Sequence, residues 1–373
     1  MTGIGIIGCG NISKAYLRLA PLFKGLEVRA VADLNAEAAA ARAKEFGVRA
    51  ETVDGLLAAE DIDVVVNLTI PAAHAQVTEN ILRAGKHAYS EKPVALTMSE
   101  GAHLRNLAEA ADLRVGSAPD TFLGGTHQQA RTLIDAGAIG RVTAATAHVM
   151  GPGMESWHPN PDFFFKPGAG PILDIGPYYI ANLIQLLGPV ARVGALTTSA
   201  SDTRTITSEP RAGETINVET PTTIHALLEF VSGAAVTLGA SWDVKAHRHG
   251  HMELYGTDGA LFLPDPNFFG GDLEQADAAG AITPVDPWDH PFGKINETGE
   301  EPRANYRMAG LADMVAAIAE NRPHRCGLDF ALHAVEVMTE ILRAGETGQF
   351  IVLSTTCDRP APLGPDEASE LLS

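Results

Sequence analysis

The sequence predicts an α/β protein in two parts: an N-terminal parallel sheet covered by helices on both faces, and a C-terminal α+β part built on a large, mostly antiparallel open sheet. Three observations carry this. Through the first third, short apolar runs alternate with amphipathic helical stretches; near Pro119 that rhythm stops; beyond it, long alternating runs follow one another without helices between them. The division falls near residue 122, giving parts 1–122 and 123–373. A length of 373 residues suits two domains.

Taken in order, Ile4-Gly5-Ile6-Ile7 is an apolar strand running straight into Gly8-Cys9-Gly10-Asn11-Ile12-Ser13. Gly8 permits a tight strand-to-helix turn, Gly10 lets the backbone approach a pyrophosphate, and Ser13 is small enough for close helix packing. The helix start at Asn11 and Ile12 offers free N–H groups and a positive dipole end to phosphates. Glu27 to Ala32 reads as a second strand ending in Asp33, 23 residues after Gly10, where a carboxylate suits the hydroxyls of an adenosine ribose. It also repels a 2′-phosphate, and Leu34-Asn35-Ala36 carries no cation to offset this, so the expected cofactor is NAD.

Helices are expected over 36–46, 74–84 and 97–111, with strands at 63–68, 86–90 and 113–116. Past the boundary, a helix near 126–136 and a turn at 137–140 precede strands at 141–149, 190–199, 222–231, 234–242 and 251–256; helices at 308–320 and 329–344 close the fold. Residues 202–213 and 276–303 read as polar Gly/Pro-rich loops, and the tail from Arg359 as loosely held.

A formal charge of −19 argues against a nucleic-acid partner or an anionic membrane, since both reward basic surfaces. Cys9, Cys326 and Cys357 are too scattered for a disulfide framework or a zinc site, which points to a reducing compartment. The first strand begins almost at once, leaving no room for a signal peptide, and no apolar run reaches the roughly 18 residues a bilayer span needs. A cytoplasmic location is expected.

In open parallel sheets, ligands bind beyond the carboxyl ends of the strands. Two such ends carry reactive groups: Asn67 to His74, and Tyr89-Ser90-Glu91-Lys92-Pro93. The chain has eight lysines against nineteen arginines, so a lysine kept at a strand end is suggestive. An ammonium exchanges a proton when burial or a neighbouring positive ring lowers its pKa, whereas a guanidinium stays charged; an ordinary surface Lys-Pro turn fits the dipeptide equally well. A third cluster runs from Gly168-Ala169-Gly170 through Asp174 to Pro177 and Tyr178, then into the apolar helix 180–187. Pro177 belongs in a first helical turn, so Asp174 lies at or just before the helix start, and Asp174 and Tyr178 can share a face. An N-cap aspartate and a packed tyrosine have the same spacing.

In order and spacing, these motifs resemble the Gfo/Idh/MocA family, the glucose-fructose oxidoreductase and inositol dehydrogenase-like NAD(P)-dependent oxidoreductases, over almost the whole chain. The resemblance implies an N-terminal Rossmann domain, a C-terminal domain whose open sheet serves oligomerisation, and NAD(P)-linked oxidation or reduction of sugars and cyclitols. Position by position, Lys92 matches the family's catalytic lysine, Asp174 its acidic site residue, and Tyr178 the place usually held by a catalytic histidine, a departure that some branches share.

Oxidising a secondary alcohol needs a proton acceptor or relay at the hydroxyl. Lys92 beside Tyr178 supplies one, the lysine either favouring the ionised phenol or acting directly, with Asp174 as orienter. Glu91 is expected to orient Lys92 or bond a ribose hydroxyl, and Thr69, Pro71 and His74 to line the cofactor channel, though His74 equally suits an ordinary helix start. In the segment 154–166, Trp157 suits the apolar face of a pyranose, and His158 and Asn160 its hydroxyls; Lys92, Asp174 and Tyr178 complete the substrate set. His247, His249 and His251 share a face if extended. Zinc and a solvated or interface strand both fit that pattern, and no metal is assigned. The expected partners are a sugar or cyclitol and further copies of the chain, a homodimer or homotetramer through residues beyond about 140, whose strands have few helices to cover their second face. Three function classes share these residues: an NAD-dependent dehydrogenase, a redox-neutral enzyme that cleaves glycosides by transient oxidation and elimination, and a catalytically silent NAD/sugar sensor.

Overall fold

The computed structural model describes residues 1–296 and 302–373. Its first sheet joins β1 (Thr2–Ile7), β2 (Leu26–Ala32), β3 (Arg49–Glu51), β4 (Val64–Asn67), β5 (His87–Ser90) and β6 (Val115–Ser117) in the order β3-β2-β1-β4-β5-β6, all parallel. Every residue of β4 is buried, as a strand covered on both faces requires. The covering helices are α1 (Asn11–Leu19), α2 (Ala36–Phe46), α3 (Val53–Ala58), α4 (His74–Arg83) and α5 (Met98–Ala111). Local chemistry sets their starts: Asn35 caps α2 by accepting from Glu37 and Ala38 N–H, and Thr97 with Glu100 forms a reciprocal capping box on α5. Sequence order reverses at the β1/β4 pair, so the strand ends open a crevice there.

After β6 the chain enters α6 (Gly125–Asp135) and the second sheet. This has nine strands: β7 (Val142–Met150), β8 (Val190–Thr198), β11 (Thr223–Phe230), β12 (Ala235–Ser241), β13 (Met252–Gly256), β14 (Ala260–Leu263), β15 (Glu274–Ala276), β16 (Ile282–Pro284) and β17 (Ile351–Val352). β7 is central; its pairing with β12 is parallel and every other pairing is antiparallel. Along β11, Ile224, Ala226, Leu228 and Phe230 are buried and alternate with the more exposed Thr223, His225, Leu227 and Glu229. The buried face carries α7 (Pro171–Asp174), α8 (Gly176–Leu187) and α10 (Leu328–Thr347). On the other face Leu196 is 76% and Leu227 53% exposed, so the single chain leaves that side of the sheet uncovered.

Three expectations change. The stretch 202–213 contributes to a hairpin, β9 (Thr203–Thr205) with β10 (Thr215–Asn217), which buries Ile206 and Ile216 against Phe164, Phe165 and Trp242 in a small second core. Strands of three residues are too short to show alternation. Residues 274–284 extend the large sheet through β15 and β16, while 297–301 lie outside the described residues. The tail is not loose: α11 (Pro365–Glu370) follows a segment on which Arg325 bonds Ala361 O, Pro362 O and Glu367, and Lys24 N–H bonds Leu371 O. Its partners lie far away in sequence, so composition alone concealed them.

The chain beyond residue 305 also returns to the first sheet. α9 (Ala309–Glu320) and α10 pack on β6, and Ser117 N–H bonds Cys326 O at 3.0 Å. Removing residues 360–373 would strip Leu363, Ala368 and Leu371 from the core and leave Arg325, 5% exposed, without three acceptors. A loss of about 3 kcal/mol or more follows from the orphaned donors and exposed apolar area. Thermal denaturation of the truncated chain is expected to show a clear fall in Tm; an unchanged Tm would contradict this packing.

Candidate active site

Backbone geometry shapes the loop after β1. Gly8 has φ +104°, and a Cβ there would lie 2.5 Å from Leu68 O, so no side chain fits. A Cβ on Gly10 would meet nothing within 4 Å. Glycine at position 10 therefore leaves space open above α1, whose N-terminus has no side-chain cap and presents the Asn11 and Ile12 end of the helix to that space. Asp33 is locked beside it: its carboxylate accepts from Cys9 N–H at 2.7 Å and Asn35 N–H at 2.8 Å. Burial, reinforced by Asp33, pushes the Cys9 thiol up to about 11, so it stays neutral. The residues present fit a dinucleotide. Arg42, on α2 and 9% exposed, donates to Cys9 O and Gly10 O and pairs with Glu45. This cation stands at the loop although the residues next to Asp33 carry none; helix packing brings it in from nine positions away.

At the end of β4, buried Asn67 donates to His74 O and Thr78 Oγ1 and accepts from Thr69. His74 is 1% exposed, and its ring nitrogens lie 2.7 Å from Pro93 O and 3.0 Å from Thr69 O. The structure thus places the His74 ring beneath the channel rather than on its wall, tying the Thr69 turn to the Lys92-Pro93 turn. Thr69 is half-buried and Pro71 exposed at the rim.

Lys92 reaches across to the other domain. Its Nζ donates to Asp174 O at 2.6 Å and to Asp174 Oδ1 at 3.1 Å, and lies 5.4 Å from the Tyr178 ring centroid. The Asp174 carbonyl is free for this because α7 ends there and Tyr178 N–H bonds Ile175 O instead. Burial opposes the charge on Lys92, but attraction from Tyr178, Asp174 and Glu91, with the Asp174 hydrogen bond, outweighs it and holds the ammonium above its usual pKa. That corrects the expectation of a lysine made basic by burial: its partners are anionic, so in the protein alone it is a charged donor. Glu91 accepts from Tyr16 Oη at 2.9 Å and Lys92 N–H at 3.0 Å. It therefore braces the lysine's backbone rather than its ammonium.

Two residues carried no sequence signal. Arg307, in the loop before α9, hydrogen-bonds Tyr178 and faces Asp120 and Glu91. Asp120 is 3% exposed and accepts from Met308 and Gly310 N–H at 3.0 and 3.1 Å. Burial pushes its carboxyl up to about 6 against those donors and Arg307. Neither belongs to a motif; long-range folding alone assembles them beside Glu91.

Trp157 and His158 sit apart from this group. His158 meets Trp157, Phe163 and Phe164 edge-on with centroids 5.2–5.4 Å apart, and Ser208 bonds His158 O. Among the described residues, no hydrogen bond or ring contact joins either one to Lys92, Asp174 or Tyr178. Of the histidine run, His249 stacks on His148 at 4.0 Å and His251 bonds Tyr179 Oη at 3.0 Å. The described residues contain no group of three or more metal-ligating side chains placed to hold an ion.

Residues 2–118 match the oxidoreductase family with an NAD-binding Rossmann fold, and residues 127–262 match the GFO/IDH/MocA C-terminal domain. The chain belongs to the Gfo/Idh/MocA family. Among similar family members, a dTDP-3,4-didehydro-2,6-dideoxy-alpha-D-glucose 3-reductase of Streptomyces violaceoruber is 36% identical over 51% of this chain and 56% of its own. Levoglucosan dehydrogenase of Pseudarthrobacter phenanthrenivorans is 27% identical over 78% of this chain and 82% of its own. The chain spans little more than half the length of the 3-reductase. A crystal structure of an NAD binding oxidoreductase from Klebsiella pneumoniae shares the fold with a TM-score of 0.81 and 21% identity, over 95% of this chain and 99% of that one. The N-terminal part is an NAD-binding Rossmann domain.

Asp120 makes stability depend on pH. Its pKa is about 6 in the fold and about 3.9 in an unfolded chain, so between those values the fold holds a proton the unfolded chain has lost. Stability from this group therefore falls as pH rises from about 4 to about 6, by on the order of 3 kcal/mol. Asp120→Asn keeps an oxygen acceptor for Met308 and Gly310 N–H without the titration. Urea denaturation at pH 4.5 and 7 should show a smaller difference for this variant than for the parent; an equal difference would clear Asp120 of the effect.

Proposed function

We propose that this protein is an NAD-dependent oxidoreductase that moves a hydride between nicotinamide and a secondary hydroxyl of a sugar, sugar derivative or cyclitol. The observation that carries this is the Lys92–Asp174 bridge beside Tyr178, formed between two domains at the carboxyl end of β5, next to the glycine loop. The sugar reductase and sugar dehydrogenase among its relatives support the substrate class.

NAD, when bound, supplies the hydride acceptor or, reduced, the donor. Gly8, Gly10, Asn11 and Ile12 hold the pyrophosphate, Asp33 takes the ribose hydroxyls, and Thr69, Pro71 and Glu91 border the channel. An ammonium has three donors, and Lys92 spends two on Asp174. The third is left for the reacting oxygen. In ketone reduction the charged lysine donates to the carbonyl oxygen as negative charge develops; in oxidation it stabilises the alkoxide while Tyr178 takes the proton. Trp157, 62% exposed beside His158, offers a ring face to the outer part of the sugar. The uncovered face of the nine-stranded sheet, with Leu196 and Leu227, joins subunits into a homodimer or homotetramer. Three buried free thiols suit a reducing, cytoplasmic setting, and no described helix is long and apolar enough to cross a membrane.

A panel of inositols, pyranoses and glycosides assayed for NADH formation, with product analysis, tests this function. Glycoside cleavage without net NADH, or no turnover at all, would overturn it. Lys92→Met is expected to cut kcat about 100-fold or more while leaving the Kd for NAD within a few fold, and Tyr178→Phe to lower kcat without multiplying that loss. Asp33→Ala should weaken NAD and improve the NADP-to-NAD ratio of kcat/KM; equal use of both cofactors by the parent would defeat the role given to Asp33.

A further inference from the structure

We propose that Arg307 is the positioning residue for Tyr178: by donating to the phenol oxygen it directs the hydroxyl's own proton into the cleft, where the substrate oxygen lies. The inference rests on the function proposed above and extends it to a residue outside every motif. A guanidinium has donors only, so in the Arg307–Tyr178 hydrogen bond the phenol oxygen must accept. The one phenolic proton is then committed elsewhere, and the half-buried ring opens towards the cleft. Lys92 and Arg307 both stand beside Tyr178.

The protein holds Arg307 there at a local cost. Met308, the next residue, has φ +88°, a left-handed conformation that costs a side-chain-bearing residue roughly 1–2 kcal/mol. The Asp120 carboxylate maintains it through Met308 and Gly310 N–H. Asn305 and Asn267 accept long hydrogen bonds of 3.3 and 3.4 Å from the two ends of the guanidinium. The titratable and charged groups around Tyr178 and Arg307 are Lys92, Asp174, Glu91, Asp120 and Tyr16. In alcohol oxidation the substrate O–H bond breaks and its proton passes to Tyr178, the C=O bond forms, and the hydride leaves to NAD. A cation fixed on the phenol oxygen favours the form of Tyr178 able to take that proton.

The test uses Arg307→Gln and Arg307→Lys, each alone and with Tyr178→Phe. Arg307→Gln should lower kcat by about 10-fold or more with the Kd for NAD nearly unchanged, and move the acid limb of the oxidation pH profile to higher pH. Arg307→Lys, which keeps a cation without the planar fork, should recover much of the pH profile. In the Tyr178→Phe background, Arg307→Gln should cost less than about 3-fold more, as expected of residues acting as a unit. A parent-like pH profile in Arg307→Gln, or losses that multiply, would overturn the proposal. A readout without turnover separates it from the function it rests on. The tyrosinate absorbance that Tyr178→Phe removes should appear at higher pH in Arg307→Gln than in the parent, whether or not any sugar is oxidised. No such displacement refutes the role of Arg307 even in an active enzyme, whereas displacement in a protein that turns over no sugar refutes the proposed function alone. Should Arg307→Gln fail to fold, Arg307→Lys carries the same comparison with a smaller displacement.

Discussion

A buried ammonium must find anionic or carbonyl partners or lose its charge, and Lys92 finds them only in the other domain. The rest of the site depends on that constraint. The first sheet delivers the lysine at the end of β5, and the break between α7 and α8 delivers both a free carbonyl and a carboxylate at Asp174. Neither half holds a complete set of partners for the cation. Correct closure of the two domains and correct protonation of the site are consequently one event.

Around this bridge the protein balances charge instead of isolating it. Lys92 and Arg307 are set against Asp174, Glu91 and Asp120, with Tyr16 and Tyr178 as neutral hydrogen-bonding groups between them. Of the three carboxyls, Asp120 has the most buried surroundings and is pushed furthest towards its neutral form. Glu91 is held by the Tyr16 hydroxyl, whose own proton burial and the Glu91 charge secure. Such a network changes protonation state as a group, so its members are understood as a set rather than one at a time.

Rigidity comes from backbone-directed polar contacts under the crevice. Asn67 and His74 spend their hydrogen bonds on the turns that carry Thr69 and Pro93. Opposite them, the segment bearing Trp157 rests on its own small core and on the Arg204–Glu155 and Arg204–Asp243 ion pairs. Reactive groups thus sit on the main core, whereas the exposed aromatic surface sits on a separately packed loop.

Local chemistry determined much of this molecule. The positive φ of Gly8, the Asn35 and Thr97 caps, the unbroken apolar run of β4 and the alternation of β11 act over a few residues, and element type and order followed from them. Lys92, Asp174 and Tyr178 could be singled out because each lies in a local pattern whose spacing constrains the backbone. Tertiary structure alone decided the protonation of Lys92, the withdrawal of His74 beneath the channel, the docking of the tail on Arg325, and the presence of Arg42, Asp120 and Arg307. These outcomes depend on burial and on charges brought together across more than a hundred positions in the case of Asp120 and Met308, and short-range pattern holds no record of such distances.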